Sequence, residues 1–160
     1  MILKLVPETD PILHKTIPSW SFDGTTLHQT ISDMTETMLH YNGIGLAAPQ
    51  VGLSIRLFVI GTPENIMTCI NPEIIEEYNL VKNTEGCLSF PNLYLPIVRH
   101  NVIRVRYQDE YGTFFEKELS GIMAVAFQHE LDHLNGITFN GKVSNLVLTL
   151  GLKKRKKKLR

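Results

Sequence analysis

The stretch Gln128-His129-Glu130-Leu131-Asp132-His133 constrains this chain more than any other. It contains His-Glu-x-x-His. Residues four apart share one face of an α-helix, so His129 and His133 can grip a single metal ion. Glu130 stands beside the first histidine, where a carboxylate can take and return protons. The preceding residues, Ile122 to Phe127, are apolar almost all the way round a helix, and such a helix is normally buried. Carrying histidines and carboxylates into a core costs on the order of several kcal/mol unless they are partnered, and a metal is an efficient partner. A lone histidine there would be an ordinary satisfied core residue. The whole pattern asks for more.

The residues beyond the helix limit the chemistry. Zinc peptidases of the thermolysin and metzincin types take their third ligand downstream of the second histidine. Here Leu134 to Arg160 contain no Asp, Glu, His or Cys, so the third ligand comes from upstream. Cys69 lies mid-strand between Thr68 and Ile70, where a small buried thiol is the usual explanation. Cys87 follows a glycine in a loop, with backbone free to approach a metal. A thiolate and two imidazoles leave one position open, as a catalytic site requires. His14, His28, His40 and His100 remain candidates, ranked below Cys87 because none has a comparable glycine-flanked setting.

One hundred and sixty residues suit a single domain, long enough to bury roughly two-thirds of the surface exposed by the unfolded chain. Residues 153–160 hold seven of the sixteen lysines and arginines, leaving nine basic against sixteen acidic elsewhere. The body is therefore acidic, near −7, and the tail strongly basic. We expect one catalytic domain over 1–152 and a solvated, disordered basic tail over 153–160. Two cysteines make no disulfide framework and favour a reducing compartment. With no signal-like N-terminus and no run of eighteen apolar residues, the expectation is a cytoplasmic protein that engages no membrane.

Along the chain, Pro7, Pro11 and Pro18 point to an extended loop. From about Thr25 to Tyr41, Leu27, Ile31, Met34 and Met38 recur at helical spacing, with Asp33, Glu36 and His40 on the other face. Asn42-Gly43 ends that helix. Gly43 to Gly52 is glycine-rich but has no phosphate-binding spacing; it lets backbone run close to a packed element or a ligand. Strands are expected at Ser54–Ile60, at Met67–Tyr78 with an interruption at Asn71-Pro72, at Ile97–Tyr107, and at Thr113–Leu119 after an Asp109–Gly112 turn. Glu85 to Pro91 reads as a loop. Ser120 can cap the His-Glu-x-x-His helix and Gly136 can stop it. The order implies an α+β fold, with antiparallel sheets around a buried helix carrying the motif and an N-terminal amphipathic helix.

Three segments, Gly43-Ile44-Gly45-Leu46-Ala47-Ala48-Pro49-Gln50, Glu85-Gly86-Cys87-Leu88-Ser89 and Gln128 to Gly136, together resemble the GxGxAAxQ, EGCxS and QHExDHxxG stretches of the peptide deformylase family, in the same order. The resemblance runs to about residue 140. It implies removal of the formyl group from formyl-methionine at the N-terminus of new polypeptides. Cys87, His129 and His133 would hold the metal, Fe²⁺ in the cell, with Zn²⁺, Ni²⁺ or Co²⁺ able to substitute. Glu130 would move the proton, while the Gln50 amide and the Leu88 backbone N–H would stabilise the oxyanion. Gly43, Ile44 and Gly45 would lie along the substrate, and Ile44, Ile122, Val125 and Ala126 would line the methionine pocket. Pro49 before Gln50 and Phe90-Pro91-Asn92-Leu93-Tyr94 look more like plant-organelle or phage-type members. The segment after Gly136 is too short for the full C-terminal helix of the long bacterial form.

Glu85 and Arg99 would pair behind the cysteine loop by the same resemblance, and Asp132 is a candidate to orient a ligand histidine. The basic tail is a candidate contact for ribosomal RNA. A monomer suffices for all of this. The competing readings are a metallopeptidase with an unusual upstream ligand, and a structural zinc or RNA-binding module; neither accounts for Gln50 and Cys87 in their motifs.

Overall fold

A computed structural model describes residues 1–160. Helix α1 spans His28–His40, and strands β1 (Gly45–Ala47) and β2 (Leu57–Thr62) come after it. Next are β3 (Asn65–Cys87), β4 (Phe90–Gln108) and β5 (Phe114–Ser120), then α2 (Ile122–Leu134) and α3 (Asn145–Lys158). The five strands form one sheet in chain order, and every neighbouring pair is antiparallel. The molecule is thus α+β.

Strand β2 shows how the layers arise. Its run Leu57-Phe58-Val59-Ile60 is fully buried because both sheet faces are covered, which is why it reads as continuous apolar sequence. Leu57 and Val59 pack with Met34 and Met38 of α1. Phe58 and Ile60 pack with Ala124, Ala126 and Phe127 of α2. Phe58 and Phe127 meet edge to face, with centroids 5.0 Å apart. A third cluster joins Phe90, Leu93, Leu95, Ile97 and Phe139, with Val147 and Leu148 of α3 against it.

The structure departs from the sequence reading in five places. Strand β3 does not end at Tyr78 but continues to Cys87, where Leu88 and Ser89 turn the chain into β4. The expected loop at Glu85–Pro91 is therefore the tip of a long hairpin. Residues 76–84 are mostly exposed, so no apolar alternation marks them; their pairing to β4 is backbone pairing. The expected break at Asn71-Pro72 is a register shift within the strand. Asn71 sits at φ 50°, and its side chain bonds the backbone of Trp20 and the side chain of Gln108.

Ser120 does not cap α2; it closes β5, and Gly121 takes the capping position without a side-chain bond. Asp33, expected on the outer face of α1, is buried and accepts from Gln29 Nε2 at 2.9 Å. The N-terminal segment covers that face, with Leu3 N–H donating to Thr37 Oγ1. Finally, the tail is helical as far as Lys158. Ser144 caps α3 by accepting from the Val147 N–H, and the closing cluster of lysines suits the negative end of the helix dipole. No helix is long and apolar enough to cross a membrane.

Candidate active site

Three elements converge on one point. The β3–β4 hairpin delivers Cys87, α2 delivers His129, Glu130 and His133, and a 3₁₀ turn at Ala48–Val51 delivers Gln50. The ligand atoms of Cys87, His129 and His133 all lie within 4.8 Å of one another. Cys87 Sγ is 3.3 Å from His133 Nε2. Glu130 is buried beside them, and its Oε2 has no hydrogen-bond partner in the protein. A buried carboxylate oxygen without a donor is expected where water or substrate supplies one.

Each group is held from behind. His129 Nδ1 meets Glu85 Oε1 at 2.8 Å, which leaves Nε2 facing the cluster. Arg99 binds Glu85 through Nε at 2.9 Å and Nη2 at 3.0 Å, and both side chains are buried. Asp132 does not touch a histidine as the sequence suggested; it accepts from Arg99 and from Lys142. Glu85 is the carboxylate that orients a histidine, and Asp132 steadies the arginine holding it. Gln128 fixes α2 to β4 by bonding both the N–H and the C=O of His100. Gly136 sits at φ 72° just past the helix, where a Cβ would meet His14 backbone at 2.7 Å.

Gln50 is oriented at both ends. Its Oε1 accepts from the Ala47 N–H at 2.8 Å. Its Nε2 donates to Ser89 Oγ at 3.0 Å and points at Cys87 Sγ, 3.6 Å away. Sequence reasoning misses the part Ser89 plays, although Ser89 closes the Glu85–Ser89 segment; nothing in its spacing announces that it bonds Gln50.

A cavity of about 720 Å³ opens over this cluster. Gly43, Ile44, Gly45, Cys87, Leu88, Ile122, Val125, Ala126, His129 and Glu130 all line it. His133 and Gln50 lie beneath the lining. Gly45 is tightly placed, since a Cβ there would stand 2.4 Å from Glu130 Oε1.

The electrostatics ask for a cation. Burial works to lower the pKa of His129, but the Cys87 sulfur and the Glu85 carboxylate outweigh it and lift the imidazole to about 10. Burial pushes His133 well below the usual histidine range, and the charge on His129 adds to this. Burial lifts Glu130 to about 7. It works against Glu85 too, yet hydrogen bonds from His129 and Arg99 bring that carboxyl down to about 2. One sulfur and two imidazole nitrogens in a buried, electron-rich pocket are a donor set that a divalent transition metal fits.

The family model described as polypeptide deformylase matches residues 2–148. A peptide deformylase of Thermotoga neapolitana is 49% identical over 132 residues, covering 80% of this chain and 79% of that protein. The crystal structure of peptide deformylase from Thermotoga maritima superposes with a TM-score of 0.84 at 44% identity, over 90% of this chain and 99% of that one. A peptide deformylase from Legionella pneumophila gives a TM-score of 0.90 at 34% identity, over 98% and 95%. Both superpositions cover nine-tenths or more of each chain, and this chain belongs to the peptide deformylase family of metal-dependent hydrolases.

Proposed function

We infer that the chain is a peptide deformylase, hydrolysing the N-formyl group from formyl-methionine at the start of newly made polypeptides and releasing formate. The observation that carries the reading is the meeting of Cys87, His129 and His133 within 4.8 Å at the floor of a cavity that Glu130 also lines. Cys87 Sγ, His129 Nε2 and His133 Nε2 would hold the metal, Fe²⁺ in the cell, with Zn²⁺, Ni²⁺ or Co²⁺ able to take its place. A divalent metal there supplies a Lewis acid and lowers the pKa of bound water toward neutrality.

The chain's own residues do the rest. Glu130, with its buried Oε2 unpartnered and a raised pKa, accepts the proton of the attacking water and passes it to the departing amine. The Gln50 amide, held by Ala47 and Ser89 with its N–H donors toward Cys87, donates to the oxyanion together with the Leu88 backbone N–H. Gly43, Ile44 and Gly45 lie along the peptide, β1 offering an edge to an extended chain. Ile44, Ile122, Val125 and Ala126 form apolar walls for the methionine thioether. Gln50→Ala removes one oxyanion donor and should lower kcat by roughly 100- to 1,000-fold.

Residues 1–152 serve as the one catalytic domain, working as a monomer in the cytoplasm. The basic stretch 153–160, whose residues up to Lys158 form the last turns of α3, contacts phosphate backbone on ribosomal RNA. Deleting it should weaken ribosome co-sedimentation at low salt; unaltered co-sedimentation rejects that contact. The activity is tested by formate release from formyl-Met-Ala-Ser, using protein purified without oxygen and loaded with Fe²⁺ or Ni²⁺. Rapid release that disappears in Cys87→Ala and Glu130→Ala supports the reading. Folded, metal-loaded protein that releases no formate overturns it.

A further inference from the structure

The basic end of the chain does not simply project into solvent. The residues of α3 that contact the body are Val147, Leu148, Gly151, Arg155 and Lys158, at helical spacing. Gly151 is buried, and Leu95 Cδ2 stands 2.7 Å from where its Cβ would lie. Arg155 pairs with Glu8 at 2.9 Å. One turn further on, Lys158 Nζ sits 4.9 Å above the ring of Tyr94. The helix is fastened along this stripe, and its fastening places an ammonium over one particular aromatic ring.

Tyr94 belongs to the active-site cavity. It lines that cavity together with Thr84, Gly86 and Asn92, and it is 52% exposed, open to whatever occupies the groove. Its Cε1 lies 2.9 Å from where a Cβ on Gly86 would be, so a side chain at 86 would displace the ring. Gly86 precedes Cys87. The ring is therefore held between the strand that ends in Cys87 and the last turn of α3.

No lysine or arginine lines the cavity. Its two carboxylates, Glu85 and Glu130, are buried, and Glu85 is already paired with Arg99 and His129. A volume of about 720 Å³ is ample for residues beyond the methionine. Lys158 thus brings a positive charge to the rim of a groove that otherwise shows none from a lysine or arginine.

We propose that Tyr94 and Lys158 form a cationic rim of the peptide groove that favours acidic side chains in the residues following formyl-methionine. Tyr94 supplies a flat surface for the substrate backbone, and Lys158, held by cation–π attraction, supplies the charge. The inference rests on the deformylase reading, and it makes part of α3 a selector of substrates.

The test uses metal-loaded full-length protein and the peptides formyl-Met-Ala-Xaa-Ser and formyl-Met-Ala-Ser-Xaa, with Xaa as Glu, Gln or Lys. In the unaltered protein kcat/KM should fall in the order Glu, Gln, Lys at one or both positions. Each step should be roughly two- to six-fold, carried by KM, as expected for one partly screened charge. In Lys158→Ala the spread should collapse, and in Lys158→Glu the order should reverse. Raising NaCl to about 0.5 M should flatten the order in the unaltered protein. The same order and spread in all three proteins overturns the proposal, as does a flat order in the unaltered protein at low salt. Failure to release formate from any of the peptides would instead reject the deformylase reading itself.

Discussion

Gly45 has no side chain because Glu130 occupies the space one would take. A Cβ at 45 would lie 2.4 Å from Glu130 Oε1 and 2.8 Å from its Cγ, so Gly45→Ala must move the carboxylate. The residues proposed to hold the metal, Cys87, His129 and His133, are elsewhere. We expect bound metal to stay stoichiometric while kcat falls roughly 100-fold, the usual cost of displacing a reacting group by about 1 Å. Metal loss in parallel with activity would mean that Gly45 supports the ligands instead. Glu85 makes a different prediction. Its folded pKa of about 2 lies below the ordinary glutamate value, so its ionised form contributes stability above about pH 4.3. That contribution disappears as pH falls through about 2, because the unfolded chain binds the extra proton. Glu85→Gln should flatten the acid limb of stability between those limits, lower stability at neutral pH by about 3–5 kcal/mol, and weaken metal binding roughly 10- to 100-fold. Chemical denaturation across pH with metal titration measures all three effects; an unchanged acid limb would place the acid sensitivity elsewhere.

At the scale of elements, the site depends on how firmly α2 is set. Its C-terminal end is held by Arg56, whose Nη1 donates to the carbonyls of Ile17 and Leu134 and whose Nη2 donates to Asn135 Oδ1. His133 is the residue just before Leu134. Arg56→Met keeps much of the apolar stem but leaves the Ile17 carbonyl and Asn135 Oδ1 without their donor, while the Leu134 carbonyl keeps the Ile17 N–H, and should cost about 1–3 kcal/mol in urea unfolding. A loss below about 1 kcal/mol would mean water replaces the guanidinium freely. Arg56 has no signal in the sequence, since its partners lie in a loop and at a distant helix end. Helix α2 is legible because its apolar run and its histidine spacing are both local. Cys87 is reached by elimination, although the long strand that carries it is hidden by exposed, weakly alternating residues. The α3 helix is hidden by its charges: seven basic residues read as a solvated tail, while the Ser144 cap and the close seat of Gly151 decide otherwise.

Across the whole molecule, a bound metal would tie the long hairpin to the central helix, because Cys87 comes from one and both histidines from the other. Without metal, the positive charge that this pocket demands would be met by a proton on His129, whose folded pKa stands near 10. That group is raised above its unfolded value, so its contribution is complete below about pH 6.5 and is lost as pH rises through 10. The metal-bound form draws on no such proton, and its ligands bind better once deprotonated. Chelation should therefore lower Tm at every pH, by roughly 10 °C when metal is present at about 1,000 times its Kd. The gap between loaded and stripped protein should widen steadily from pH 6.5 to 9.5. Calorimetry on both forms across that range gives the answer. A gap that stays constant or narrows with pH would mean that the stripped site does not keep its proton on His129, and that the hairpin and helix separate once the metal leaves.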